Sequence, residues 1–304
     1  MTLGKNIKGY TLGVVAAATY GLNPLFALPL YADGMDANSV LLFRYLAGIP
    51  IVAIVALLSG DGLFVRRREI IPLIVMGLLM GYSSLSLFES YNCMEASIAS
   101  TMLFVYPLMV AVIMTVMYRE RFTWLTGVCL VTAGAGLILL YNGKPGATLD
   151  PVGVAWVMTS ALSYAIVLVG INRSVLATMP SNRMTFYLLL FGSVIFIVQA
   201  AAKGTVTVPV DNSLWMNVIA LGLLPTAVSL ICTAVAIHCI GSTPVALLGV
   251  FEPVTAVLCG VMVFNEQLTG RDVSGLILIM ISVILVIAGG FFKSRLSQTE
   301  VTTV

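Results

Sequence analysis

Residues 106–120, YPLMVAVIMTVMYRE, and residues 252–266, EPVTAVLCGVMVFNE, decide how the chain is read. In each, a proline stands second in a long apolar run and a glutamate closes the run. Pro107 and Pro253 lie 146 positions apart, and so do Glu120 and Glu266, and Thr123 and Thr269. Few identities survive between the copies, so what repeats is spacing within matching hydropathy. Such spacing points to an internal duplication of about half the chain, and a duplicated membrane protein is most often a transporter.

Composition places both copies in lipid. Of 304 residues, 60% are hydrophobic and 9% charged, with a mean hydropathy of +1.06. A soluble domain of that make-up has nothing with which to cover its surface, whereas a chain dissolved in a bilayer needs no such cover. The net charge of +2 is too small to indicate nucleic acid. Five cysteines, Cys93, Cys129, Cys232, Cys239 and Cys259, are odd in number and form no C-x-x-C pair. They read as small packing residues, and neither disulfide, metal nor cofactor is expected.

Turn and charge signals cut the chain into apolar runs at Gly9 to Tyr31, 38–59, 70–91, 96–118, 122–141, 151–171, 184–203, 215–238, 243–264 and 272–292. Each has roughly 20 residues, enough to cross a hydrocarbon core of ~30 Å as a helix. The fold class expected is an all-α integral membrane protein of ten transmembrane helices, five per half, divided at 1–143 and 144–304. With the N-terminus cytoplasmic, the inner segments hold eleven Lys and Arg residues, Arg66, Arg67, Arg68 and Arg173 among them, against three in the outer loops, Lys144, Lys203 and Arg271. That bias favours this orientation. An odd number of spans per half then makes the second half enter upside down, and inverted repeats place a substrate site at their interface.

Polar side chains in lipid tend to turn inward, so they mark the helices around a central cavity. The first run has Tyr20 and Asn23 beside Pro24; the third has Tyr82, Ser83, Ser86 and Glu89; the fourth has Ser97, Thr101 and Tyr106. The sixth has Ser160, Ser163 and Tyr164, the eighth Thr226, Ser229 and Thr233 after Pro225, and the ninth Glu252. Runs 1, 3, 4, 6, 8 and 9 are therefore placed around the cavity, with the others as support. Substrate-pathway residues expected are Tyr20, Asn23, Tyr82, Ser83, Ser86, Tyr106, Ser163, Tyr164, Thr226, Ser229 and Glu252. The competing reading is structural, because Ser and Thr in membrane helices often bond their own backbone.

Glu252 is the sharpest of these. It falls near mid-membrane, where a carboxylate costs at least ~2.5 kcal/mol unless protonated, paired or hydrated, and it is the candidate to bind a cation or carry a proton. Arg44, the other interior charge, is expected to pair with Glu89 in a structural role or to snorkel. His238 is assigned to a helix end, and Glu120 and Glu266 to bracing where each copy leaves the membrane. An enzyme is disfavoured: the chain has one histidine and neither G-x-S-x-G nor H-E-x-x-H.

Two halves of five runs, each with its proline, its closing glutamate and then Thr123 or Thr269, resemble the EamA-type branch of the drug/metabolite transporter superfamily. The resemblance implies a ten-helix carrier of the inner (plasma) membrane with both termini cytoplasmic. It also implies a small-molecule substrate, such as an amino acid, related metabolite or drug, exported with proton or counter-substrate coupling. A passive channel or lipid flippase of the same fold is the alternative. The first copy departs from the second in having Tyr106 where the second has Glu252.

Overall fold

The computed structural model describes residues 2–119, 124–141, 150–240, 245 and 248–285, and every regular element among them is helical. Glu120, Thr123, residues 142–149, the side chain of His238 and the C-terminal segment with Lys293 and Arg295 lie outside the described residues. The first run is split into α1 (Thr2–Gly21) and α2 (Asn23–Ala32), followed by α3 (Ala37–Leu58) and α4 (Arg67–Ser90). Next come α5 (Ala96–Leu103) and α6 (Tyr106–Tyr118), α7 (Trp124–Tyr141), α8 (Pro151–Arg173) and α9 (Ser181–Lys203). The chain continues through α10 (Asn212–Leu221), a π-helical stretch (Gly222–Val228), α11 (Ser229–Ile240) and α12 (Phe251–Val263), with the last described helix at 270–285. Among the described residues, seven helical stretches are long and apolar enough to cross a membrane, counting α1–α2, α5–α6 and α10–α11 as one each. Ile71, Val131 and Met262 stand more than two-thirds exposed, as side chains do when hydrocarbon is their solvent.

The helix starts follow from local chemistry. The Asp36 carboxylate accepts from Ser39 N (3.4 Å) to cap α3, and Asp150 accepts from Val152 N (2.9 Å) to cap α8. Glu69 reaches back to Arg66 N (2.9 Å) at the start of α4. These contacts satisfy amides that the first turn leaves without partners.

Prolines set the breaks. A helical proline has no N–H for the carbonyl four residues earlier, and its ring crowds that carbonyl. Pro24 thus orphans Tyr20 O, and the Asn23 side chain fills the gap, Nδ2 donating to that oxygen at 2.8 Å. Pro225 orphans Leu221 O, to which Thr226 Oγ1 donates at 3.0 Å, and the helix widens there into its π turn. Pro253 orphans Gly249 O, which Glu252 N reaches at 2.9 Å across the turn at Gly249 and Val250. Pro107 likewise follows a turn at residues 104–105 that separates α5 from α6.

Glycines set the closest packing. A Cβ on Gly81 of α4 would lie 2.5 Å from Gly192 O of α9, and one on Gly222 would lie 2.7 Å from Ala47 Cβ of α3. Without a hydrophobic force between helices in lipid, such close backbone approach is a main source of association. Between α3, α4 and α9 the core holds Tyr45, Phe88 and Phe196, with the Tyr45 and Phe196 rings edge-to-face at 4.9 Å. In helix–helix contacts α4 packs on α8 and α9, α3 on α9 and on the π stretch, and α1 on α11 and α12. Further pairs are α5 with α12 and α6 with α8.

Candidate functional site

The walls of a cavity of about 520 Å³ come from the first, third, fourth, sixth, eighth and ninth apolar runs. It takes residues of α1 but none of α2, of α6 but none of α5, of α11 but none of α10, and Glu252 from the first turn of α12. The cavity therefore begins at the proline breaks and occupies the half of the bundle that holds the N-terminal end of α1 and the C-terminal ends of α6, α8 and α11.

Tyr20, Tyr106, Tyr164, Ser229 and Glu252 of the expected residues line the cavity, joined by Thr233. The Tyr106 and Tyr164 rings meet edge-to-face with centroids 4.7 Å apart. Ser229 Oγ donates to Ala16 O at 2.9 Å and Thr233 Oγ1 to Ser229 O at 2.8 Å, so both hydroxyl protons are committed to backbone. Glu252 is the one charged side chain among the described lining residues. Gly21 leaves room beside it, since a Cβ there would collide with Glu252 O.

Other expected residues sit elsewhere. Tyr82 is 38% exposed on the outside of α4. The cavity-lining residue of α4 is Met80, two positions earlier and so about 200° round the helix, which turns Tyr82 away. Ser83 belongs to a helix–helix clasp: Ser83 Oγ donates to Ser160 O (2.9 Å) and Ser160 Oγ to Ser83 O (2.7 Å), locking α4 to α8. Ser86, fully buried with its hydroxyl unpartnered, and Ser163 are not among the lining residues. Asn23 and Thr226 are buried and serve the proline-orphaned carbonyls described above.

Arg44 does not pair with Glu89. Its Nε donates to Thr226 Oγ1 at 3.0 Å and its guanidinium lies 5.5 Å from the centroid of the Phe88 ring, while the Glu89 carboxylate accepts from Asn92 Nδ2 at 3.3 Å. The cation is thus held by a hydroxyl and a ring face, because Glu89 lies at the end of α4 and turns to the following loop. Met80 and the small residues of α1 in the wall carry no polar signal. Only the 3.6-residue period, applied from the glycine face of α4, would have found Met80.

Beyond the breaks the helix ends are tied together by side-chain bonds. Tyr31 Oη donates to Phe88 O at 2.9 Å. Glu266, in the loop after α12, accepts from Ala96 N at 3.1 Å and from Ser97 Oγ, tying that loop to the start of α5; a Cβ on Gly260 would occupy the same space. Partial burial pushes the Glu266 carboxyl up, against the lowering effect of the Ser97 and Ala96 donors. At the same end Thr207 Oγ1 donates to Asp36 Oδ1 (3.0 Å) and Lys203 Nζ lies 3.6 Å from Asp36 Oδ2. Partial burial pushes the Asp36 carboxyl up, but its hydrogen bonds to Ser39 and Thr207, with the Lys203 ammonium, hold it below the usual carboxylate range. At the cavity end, Asn182 Nδ2 donates to Asp61 Oδ2 (2.9 Å) and Tyr187 Oη to Leu63 O (2.6 Å).

Residues 7–142 and 151–288 each match the EamA-like transporter family. An uncharacterized transporter of Archaeoglobus fulgidus is 28% identical over 273 residues, covering 90% of this chain and 93% of that protein. The fold is shared with a protein of known crystal structure at 17% identity and a TM-score of 0.68, covering 91% of this chain and 94% of the other.

Proposed function

The chain belongs to the EamA-like transporter family, and from that premise we propose that it is a secondary-active carrier that exports small organic solutes by alternating access. The observation that carries this reading is the cavity itself, which holds a carboxyl group in its wall and ends at the proline breaks, with hydrogen bonds tying the helix ends beyond them. The cavity is then the solute site, and Glu252 is the group through which a proton or counter-substrate is coupled.

Ten spans in two inverted halves account for the packing. Exchanging each span for the one five later turns the pair α4–α8 into α11–α1, α6–α8 into α12–α1, and α4–α9 into the π stretch with α3, all of which are packed pairs. The 146-residue offset between Pro107 and Pro253 also carries Asp36 onto Asn182 and Asp61 onto Thr207. The Asn182–Asp61 clasp at the cavity end and the Asp36–Thr207 clasp at the closed end are therefore one contact made twice, at opposite faces. The same offset carries Ser83 onto Ser229, and each donates to a carbonyl of the facing helix. That is what an axis in the membrane plane produces.

The Lys and Arg bias puts both termini and the cavity end in the cytoplasm, so this is an inward-facing state of a plasma-membrane carrier. Reconstituted in liposomes, the protein should give saturable flux that an opposing gradient of the same solute accelerates. Linear, unaccelerated flux would instead indicate a passive pore, and lipid scrambling without solute flux a flippase. The closed end speaks against the pore. Glu252→Gln should abolish or uncouple the flux while leaving the protein inserted.

A further inference from the structure

The cavity wall is one-sided in the ionisable groups it offers a charged solute. Glu252 is the one charged side chain among the described lining residues, and no lysine, arginine or histidine stands among them to meet an anion. Ser229 and Thr233 have spent their protons on Ala16 O and Ser229 O, so each shows the cavity only oxygen lone pairs. At the break, the Glu252 amide is spent on Gly249 O. What remains is a carboxyl group, two acceptor hydroxyls and three tyrosines from three helices, Tyr20, Tyr106 and Tyr164, each offering a ring face and a phenol hydroxyl that can accept as well as donate.

We infer that the cavity selects an organic ammonium: a monocation with several N–H donors on a small apolar or aromatic body. The carboxylate supplies the counter-charge, the Ser229 and Thr233 oxygens accept from the N–H groups, and tyrosine faces attract the cation through their quadrupoles. The body sits against the Met80 side of the wall, in a space of about 520 Å³ that holds a single-ring amine with room to spare. A solute with a free carboxylate finds no cation to pair with and faces Glu252 instead, so even a zwitterionic amino acid is a poorer fit than the amine that lacks its carboxylate. The inference rests on the cavity being a carrier's binding site and specifies its substrate class.

Three probes of nearly one shape separate the charges: phenethylamine (cation), phenylalanine (zwitterion) and hydrocinnamate (anion). Binding of each to the purified full-length protein in nanodiscs is measured by calorimetry and by the shift in melting temperature. Phenethylamine should bind, and the other two at least ten-fold more weakly. Glu252→Gln should weaken phenethylamine at least ten-fold, whereas Glu69→Gln, at the start of α4, should leave it unchanged. The wild-type comparison stands even if the Glu252 variant does not fold. Hydrocinnamate or phenylalanine binding as tightly as phenethylamine would overturn the inference, as would no phenethylamine binding or undiminished binding by a folded Glu252→Gln protein. None of these results removes the carrier reading, which fails only if accelerated counterflow is absent for every solute class.

Discussion

Asn23 sits at the break between α1 and α2 next to a proline, and its work is to occupy the carbonyl that Pro24 leaves without a donor. Asn23→Ala would strand Tyr20 O in a buried site, and the expected loss is about 1–3 kcal/mol, read as a lower melting temperature in detergent. Thr226 has two such duties, accepting from Arg44 and donating to Leu221 O. Thr226→Val keeps the shape, removes both bonds and leaves a buried cation short of an acceptor, so a loss of about 1.5–3 kcal/mol is expected. Sequence alone flagged both residues as unusual but assigned them to a solute path. A polar side chain in an apolar run looks the same whether it faces a cavity or a carbonyl: Tyr106 and Glu252 also stand beside prolines, yet they line the cavity. Asp36 adds a pH dependence. Because its folded pKa is depressed, its stabilisation is complete above the ordinary aspartate value of about 4 and lost as pH falls through the lower folded value. Asp36→Asn should therefore flatten the acid limb of a melting-temperature profile, and an unchanged limb would remove Asp36 from that role.

Among the helices, the prolines decide where the bundle is hollow and the glycines where it is tight. Gly81→Ala would drive a Cβ to 2.5 Å from Gly192 O, backbone that cannot swing aside. Separating α4 from α9 should cost about 1–3 kcal/mol, whereas Gly134→Ala, with open space around its Cβ, should cost far less. Equal effects of the two substitutions would show that the α4–α9 contact is not the tight one. From the second apolar run to the eighth, the observed helix ends fall within three residues of those read from hydropathy, because in lipid the length of an apolar run is nearly the length of its helix. The facing of individual residues was less legible. Tyr82 was assigned inward for its polarity, yet α4 is already committed on two sides, with Gly77 and Gly81 on α9 and Ser83 on α8. An amphipathic tyrosine is tolerated on the remaining outer side.

For the molecule as a whole, the proposed carrier makes the hollow and the tied end beyond it two halves of one device. The clasp between Asp36 and Thr207 and its counterpart between Asp61 and Asn182 hold the α3–α9 pair at opposite faces, leaving the breaks in α1–α2, α5–α6 and before α12 as the places where the bundle can change shape. In that proposal Glu266, bridging the loop after α12 to the start of α5, is the latch at that end. The spacing of prolines and glutamates points to two similar halves, and residues 7–142 and 151–288 do match one family, although the contacts between the halves join residues too far apart for any local pattern to show. The most direct test is the reach of the cavity. In a protein whose native cysteines are replaced, Ala111→Cys lies in the cavity wall and can be challenged with a membrane-impermeant maleimide from each side of oriented vesicles. Labelling from the cytoplasmic side alone is the result expected of the solute-free carrier; labelling from the opposite side alone, from both sides at once, or from neither would contradict it.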